Sequence, residues 1–165
     1  MIGQAERLLR ASAVQIAPEA ADSAEASLCL GAYFRELAQR FETGFDPAMS
    51  ITATAAEMTP PAGTLVLARL DGRPIGCAAL KVKDCGIGEV KRMWVAPEAR
   101  GLGLGRRLLD AVETAARDFG LAMLRLETNQ TLREAQRLYR SAGYTEVAPF
   151  NDEPYAHHWF EKPLG

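Results

Sequence analysis

Apolar positions along the chain change period several times, and each change marks an element. From Ala24 to Phe41, Leu30, Phe34, Leu37 and Phe41 recur at helical spacing, which predicts an amphipathic helix. Ahead of it, Ser12 to Ile16 alternates weakly and reads as a first strand. Behind it, Glu42-Thr43-Gly44-Phe45-Asp46-Pro47 reads as a loop. A short second helix is expected over Ser50 to Met58, stopped by Pro60-Pro61-Ala62-Gly63. Thr64 to Leu70 and Ile75 to Val82 flank Asp71-Gly72, a turn dipeptide suited to an antiparallel hairpin. A second turn over Lys83 to Gly88 leads into Glu89 to Val95, completing a meander. Helical spacing then returns: Leu104, Leu108, Val112, Ala116 and Phe119 form one stripe on a helix from Leu102 to Phe119, stopped by Gly120. Ala122 to Glu127 reads as a strand, Thr131 to Ala142 as a helix ending at Gly143, and Tyr144 to Val147 and His158 to Lys162 as strands. Strands joined first by hairpins and later through helices predict a mixed α/β fold, with helices on the faces of one sheet.

Composition narrows the class of protein. A chain of 165 residues suits a single domain over 1–165, able to bury a core without staples. A net charge of −2 argues against a nucleic-acid partner. Cys29, Cys77 and Cys85 are odd in number and lack CxxC spacing, so neither a metal site nor a disulfide framework is expected. Gln4-Ala5-Glu6-Arg7 breaks any apolar leader, and no apolar run approaches the roughly 20 residues that span a bilayer. A cytoplasmic protein without membrane partners is the expectation.

The candidate chemistry begins at Arg100-Gly101-Leu102-Gly103-Leu104-Gly105, between a strand and a long helix. Such a junction exposes backbone N–H groups at the positive end of a helix dipole, which suits an anionic phosphate. A P-loop would need Lys and then Ser or Thr after its last glycine, where Arg106-Arg107 stand. A dinucleotide fingerprint would need GxGxxG, whereas the spacing here is GxGxG, although Glu127 imitates its ribose-binding acid. A plain glycine turn that starts a helix is the bland alternative.

The run from Val90 to Gly105, VKRMWVAPEARGLGLG, resembles the core of the GNAT acetyltransferase superfamily. Arg100, Gly103 and Gly105 match that family's Arg/Gln-x-x-Gly-x-Gly/Ala signature without a gap. Leu126-Glu127-Thr128-Asn129, with Ala135, Leu138-Tyr139 and Gly143-Tyr144, is similar to its second cofactor-binding segment. The resemblance implies a twisted, mostly antiparallel sheet of six to seven strands flanked by about four helices, and acetyl-CoA as acyl donor. It implies that the fourth strand splays from the fifth, and that Met93, Trp94 and Val95 meet the pantetheine in the gap. Arg100, Gly101, Leu102, Gly103, Leu104, Gly105 and Arg106 would hold the pyrophosphate. Ala135 belongs to the second segment, and Asn129 either contacts the pantetheine arm or caps the following helix. A homodimer is common in the family.

Aminolysis of a thioester needs a neutral amine and a protonated leaving sulfur. Glu89, four residues before Met93, is the first candidate base, where several family members carry a glutamate. The alternative is a strand-end carboxylate or a partner for Lys91. Tyr139, in the helix after the fifth strand, is the candidate acid, against an ordinary core tyrosine. An acyl-cysteine route through Cys77 or Cys85 is less favoured, because neither has a histidine beside it in sequence. Acceptor contacts are expected from Phe34 on the first long helix, Arg92, and Tyr155 and His157 in the tail. Asp152 or Glu153 would attract a cationic amine, whereas Arg92 or Lys91 would favour an acceptor bearing a carboxylate. The leading expectation is an N-acetyltransferase acting on a primary amine of a small molecule or amino acid in a ternary complex. A protein N-terminal or lysine acetyltransferase and a non-catalytic acyl-CoA sensor are the alternatives.

Overall fold

The computed structural model describes residues 3–51 and 53–165. The first long helix forms as α2 (Ala24–Arg40), started by Ser23, whose side chain accepts from the Ala26 amide at 3.0 Å. Its Ala26, Cys29 and Leu37 are buried along one face. Before it come α1 (Gln4–Ala13) and β1 (Gln15–Pro18). The first strand thus sits later than expected, and the helix ahead of it was not anticipated. Helix α1 fully buries none of its side chains, so it has no core-facing stripe to read. The helix expected over Ser50 to Met58 is replaced by two short 3₁₀ turns, Pro47–Met49 and Ala56–Met58. Asp46 caps the first of these through the Ala48 amide at 3.0 Å. Thr52, within that expected helix, lies outside the described residues.

The hairpin forms as β2 (Gly63–Leu70) and β3 (Arg73–Val82), joined by Asp71 and Gly72 with φ of 52° and 76°. Two successive left-handed residues match the twist of the flanking strands. β4 (Ile87–Val95), α3 (Leu104–Asp118), β5 (Met123–Thr128), α4 (Arg133–Ser141), β6 (Thr145–Val147) and β7 (His158–Pro163) follow. The described residues thus form four α-helices and one seven-stranded sheet of order β1-β2-β3-β4-β5-β7-β6. Only the β4–β5 pair is parallel.

Strands β2 and β3 are buried on both faces, and their period of two divides the core. Leu65, Leu67, Cys77 and Ala79 pack with Ala26 and Cys29 of α2. Val66, Ala68, Ala78 and Leu80 pack with Leu104, Leu108 and Val112 of α3 on the other side. No helix among the described residues is long and apolar enough to cross a membrane.

Two features of β4 open the sheet. Cys77 to Ala79 on β3 faces Trp94 to Lys91 on β4, so one extra residue bulges out of β4. Arg92 occupies that bulge in the left-handed region, with φ of 57°. A bulge bends and twists its strand. The parallel β4–β5 ladder accordingly runs only from Ile87↔Met123 to Glu89↔Arg125, although β4 continues to Val95 and β5 to Thr128.

Candidate active site

Beyond Glu89 and Arg125, the two strands leave a gap lined by α2 and α4. It holds two adjoining cavities, of ≈ 410 Å³ and ≈ 100 Å³, which share Tyr33, Leu37, Met93, Leu132 and Ala135 as wall.

The larger cavity reaches the start of α3. Trp94, Val95, Arg100, Gly101, Gly103, Leu104, Gly105 and Arg106 line it. Gly103 is the N-cap residue of α3, left-handed at φ 75°, and no side chain caps the helix. The first amides of a helix have no intrahelical acceptor, so they remain available to an anion. A side chain at Gly101 or Gly103 would meet nothing within 4 Å, which leaves open space above the loop. An uncapped helix start beside an elongated cleft fits the diphosphate and pantetheine of an acyl-CoA. Leu102, expected in this group, does not line the cavity.

Cationic groups here are already engaged. Arg100 donates to Glu36 at 2.6 Å and to the Val95 carbonyl at 3.0 Å, so that carbonyl is occupied. Glu36 also accepts from the Trp94 indole at 3.2 Å and from Arg40 at 3.2 Å. Arg40 continues to Glu134 and to the Thr131 carbonyl, the latter at 2.8 Å. Helix α2 therefore ties the glycine loop to the start of α4 across the cleft. Sequence spacing carried no sign of this network, because its members lie on three separated segments.

The smaller cavity holds the titratable groups. Tyr139 is buried and lines it, and its hydroxyl has no hydrogen-bond partner among the described residues. Burial pushes the phenol well above its ordinary range, helped by neighbouring Tyr33 and Glu127, so it stays protonated. Tyr33, unremarked in the sequence, lines both cavities; burial pushes its phenol up to about 12. Glu127 of β5 lines the same cavity. Lys91 Nζ holds its Oε1 at 2.9 Å, while Oε2 is buried without a partner among the described residues. A buried carboxylate oxygen left unpaired is costly, and such exceptions call for a ligand or a role.

Glu89 is placed differently. It is buried where β4 and β5 still pair, 3.9 Å from Lys91, and lines neither cavity. Its alternative as a partner for Lys91 matches this geometry. Glu127, which in the sequence stands out only for its place in a motif, lines the cavity together with Tyr139. The signal that could have found it is period two: Leu124 and Leu126 are buried in the core, so Glu127 points to the opposite face.

Of the expected acceptor contacts, Arg92 and Tyr155 line the smaller cavity. The Tyr155 ring packs on Phe45 and Phe41 at 4.8 Å and 5.6 Å, and its hydroxyl accepts from the Asp46 amide at 2.9 Å. Phe34 sits behind the wall, stacked on Phe45 at 5.7 Å and beneath the Arg92 guanidinium at 4.9 Å. His157 lies outside both cavities. Its Nδ1 accepts from the Gln130 amide at 3.1 Å and its own amide bonds Thr128, so it closes the β5–α4 loop. Asn129 lines the smaller cavity, not the larger. Its Oδ1 accepts from Thr131 N and Oγ1 and its Nδ2 donates to the Tyr155 carbonyl, so it orders the β5–α4 loop, while α4 starts after Leu132 without a side-chain cap. Cys77 and Cys85 line neither cavity; the Cys77 thiol donates to the Arg92 carbonyl at 3.2 Å and braces the bulge.

A mostly antiparallel seven-stranded sheet, split at its single parallel pair and with an uncapped glycine loop in the split, defines the acyl-CoA-dependent N-acyltransferases. The chain belongs to the GNAT acetyltransferase family, whose model matches residues 31–144. It is 42% identical over 104 residues to an IAA acetyltransferase of Azospirillum brasilense, covering 60% of this chain and 67% of that protein. It is 47% identical over 88 residues to a mycothiol acetyltransferase of Thermomonospora curvata, covering 53% of this chain but only 29% of that longer protein. Among solved structures, a proposed acyl-CoA N-acyltransferase from Klebsiella pneumoniae superposes with a TM-score of 0.74 at 28% identity, over 92% of this chain and 98% of that one.

Proposed function

We propose that the protein is an N-acetyltransferase that moves an acetyl group from acetyl-CoA directly to the primary amine of a small molecule or amino acid. One observation carries this reading: the Tyr139 hydroxyl and Glu127 Oε2, both without partners among the described residues, belong to one small cavity that adjoins the larger cleft at Met93. Acetyl-CoA, when bound, supplies the electrophilic thioester carbonyl. The α3 start would hold the diphosphate, and the splayed edge of β4 near Met93 would receive the pantetheine. Glu127 Oε2 takes a proton from the incoming ammonium group, because an alkylamine is mostly protonated at neutral pH. Tyr139 stays neutral and donates its hydroxyl hydrogen towards the departing sulfur. Met93, Ala135 and Leu37 keep the junction apolar, which strengthens both polar interactions.

Enclosure supports a small acceptor. Glu153 is buried and accepts from Ser50 Oγ and the Ile51 amide at 2.7–3.0 Å, so the tail and the 50–51 segment close over the cavity together. Turnover of acetyl-CoA across an amine panel, with Tyr139→Phe as control, tests the reading. Amine-dependent release of coenzyme A that falls in the variant is expected. Equal release with and without amine would overturn it.

A further inference from the structure

Resting on that reading, we infer that the acceptor is an amine that also carries a carboxylate, and that Arg92 is the residue that selects it. Four charged groups line the acceptor cavity: Lys91, Arg92, Glu127 and Glu153. Lys91 is consumed by Glu127 at 2.9 Å and lies 3.9 Å from Glu89. Glu153 is consumed by the Ser50 hydroxyl and by the amides of Ile51 and Tyr155. Asp152 is exposed and outside the cavity, so it gives a cationic amine no seat there.

Arg92 differs from all of these. Its side chain makes no ion pair or hydrogen bond among the described residues, and its guanidinium rests 4.9 Å over the Phe34 ring. An aromatic face positions a guanidinium but leaves its N–H donors free, and those donors match a carboxylate in a two-point fork. The bulge gives the reason for its direction. Lys91, Arg92 and Met93 all line the same cavity, whereas consecutive residues of a regular strand point to opposite faces. The Cys77 thiol bonded to the Arg92 carbonyl at 3.2 Å holds that bulge. Arg92 does not line the donor cleft, so the phosphates of coenzyme A do not satisfy it. An unpaired cation and an unpaired carboxylate oxygen, Glu127 Oε2, therefore share one cavity, a donor for the carboxylate and an acceptor for the ammonium of a zwitterionic acceptor. Phe45 and Tyr155 supply an apolar wall for the remainder.

The test compares matched acceptors: amino acids, α and ω, against the amide and the decarboxylated amine with the same side chain. With the unmodified protein, kcat/KM is expected to favour the carboxylate members by about tenfold to a hundredfold, the range of a lost charge-assisted pair. Arg92→Gln should raise KM for the amino acids until they match their amides, and Arg92→Lys should recover part of the preference. Amides or simple amines preferred by the unmodified protein would overturn the inference while leaving the acetyltransferase reading intact. So would a carboxylate preference that survives in Arg92→Gln. Absence of turnover with every acceptor would overturn the acetyltransferase reading itself, and this inference with it.

Discussion

Single side chains decide the chemistry, and the two candidate carboxylates separate cleanly. Glu127→Gln removes the acceptor whose buried oxygen has no partner among the described residues, and kcat/KM for the amine is expected to fall by about a hundredfold, the usual worth of a positioned base. Glu89→Gln changes a group outside both cavities and is expected to cost a few-fold at most, through Lys91. Steady-state kinetics on the two variants, side by side, check the order; a larger loss in Glu89→Gln would return the base to β4. Tyr139→Phe keeps the ring packed on Phe160 and Tyr144 and deletes only the hydroxyl. Turnover is expected to drop roughly tenfold to a hundredfold with KM for acetyl-CoA almost unchanged.

Elements decide where those side chains meet. Helix α3 begins at Gly103 in a conformation that costs a residue with a Cβ about 1–2 kcal/mol, and its uncapped amides are the proposed anion site. Gly103→Ala meets no neighbour within 4 Å, so its penalty is backbone strain alone. A rise in KM for acetyl-CoA with a drop in melting temperature of a few degrees is expected, read by kinetics and thermal melts. A variant that melts lower yet binds donor normally would show that the loop is not the phosphate seat. Helix α2 acts as a tie across the cleft through Glu36 and Arg40, a role its amphipathic pattern does not announce.

At the scale of the whole molecule, three phenols, two buried and one partly buried, share one consequence. Burial raises the pKa of Tyr33, Tyr139 and Tyr144, and the Glu113 carboxylate bonded to the Tyr144 hydroxyl at 2.9 Å adds to the last. The unfolded chain releases these protons near pH 10, while the folded chain keeps them, so the folded state binds more protons above that pH. Their contribution is complete below pH 10 and is lost as pH rises through the folded values, Tyr33 first at about 12. Thermal melts from pH 8 to 12 should show a steepening fall above pH 10, by about 1.4 kcal/mol per phenol per pH unit. A flat profile would mean that these hydroxyls ionise in the folded state as they do in water.

Periodicity along the chain determined the strands and helices that bury a stripe or a face: α2, α3, α4 and the β2–β4 meander were legible because burial imposes a repeat. Spacing of Arg100, Gly103 and Gly105 likewise carried the family resemblance that implies an acyl-CoA donor, since a glycine loop that starts a helix leaves a local signature. Helix α1 left none because it buries no side chain, and the two 3₁₀ turns because three residues are too few to show a repeat. The acceptor side was decided only in three dimensions. Arg92 and Lys91 are neighbours in sequence with the same charge, yet Glu127 neutralises one and the bulge turns the other into the cavity unpaired. Glu89 and Glu127 are equivalent as residue types, and only the length of the parallel ladder places one inside the closed sheet and the other in the gap. Pairing partners come from distant segments, so the charge that remains free for a ligand is a property of the fold.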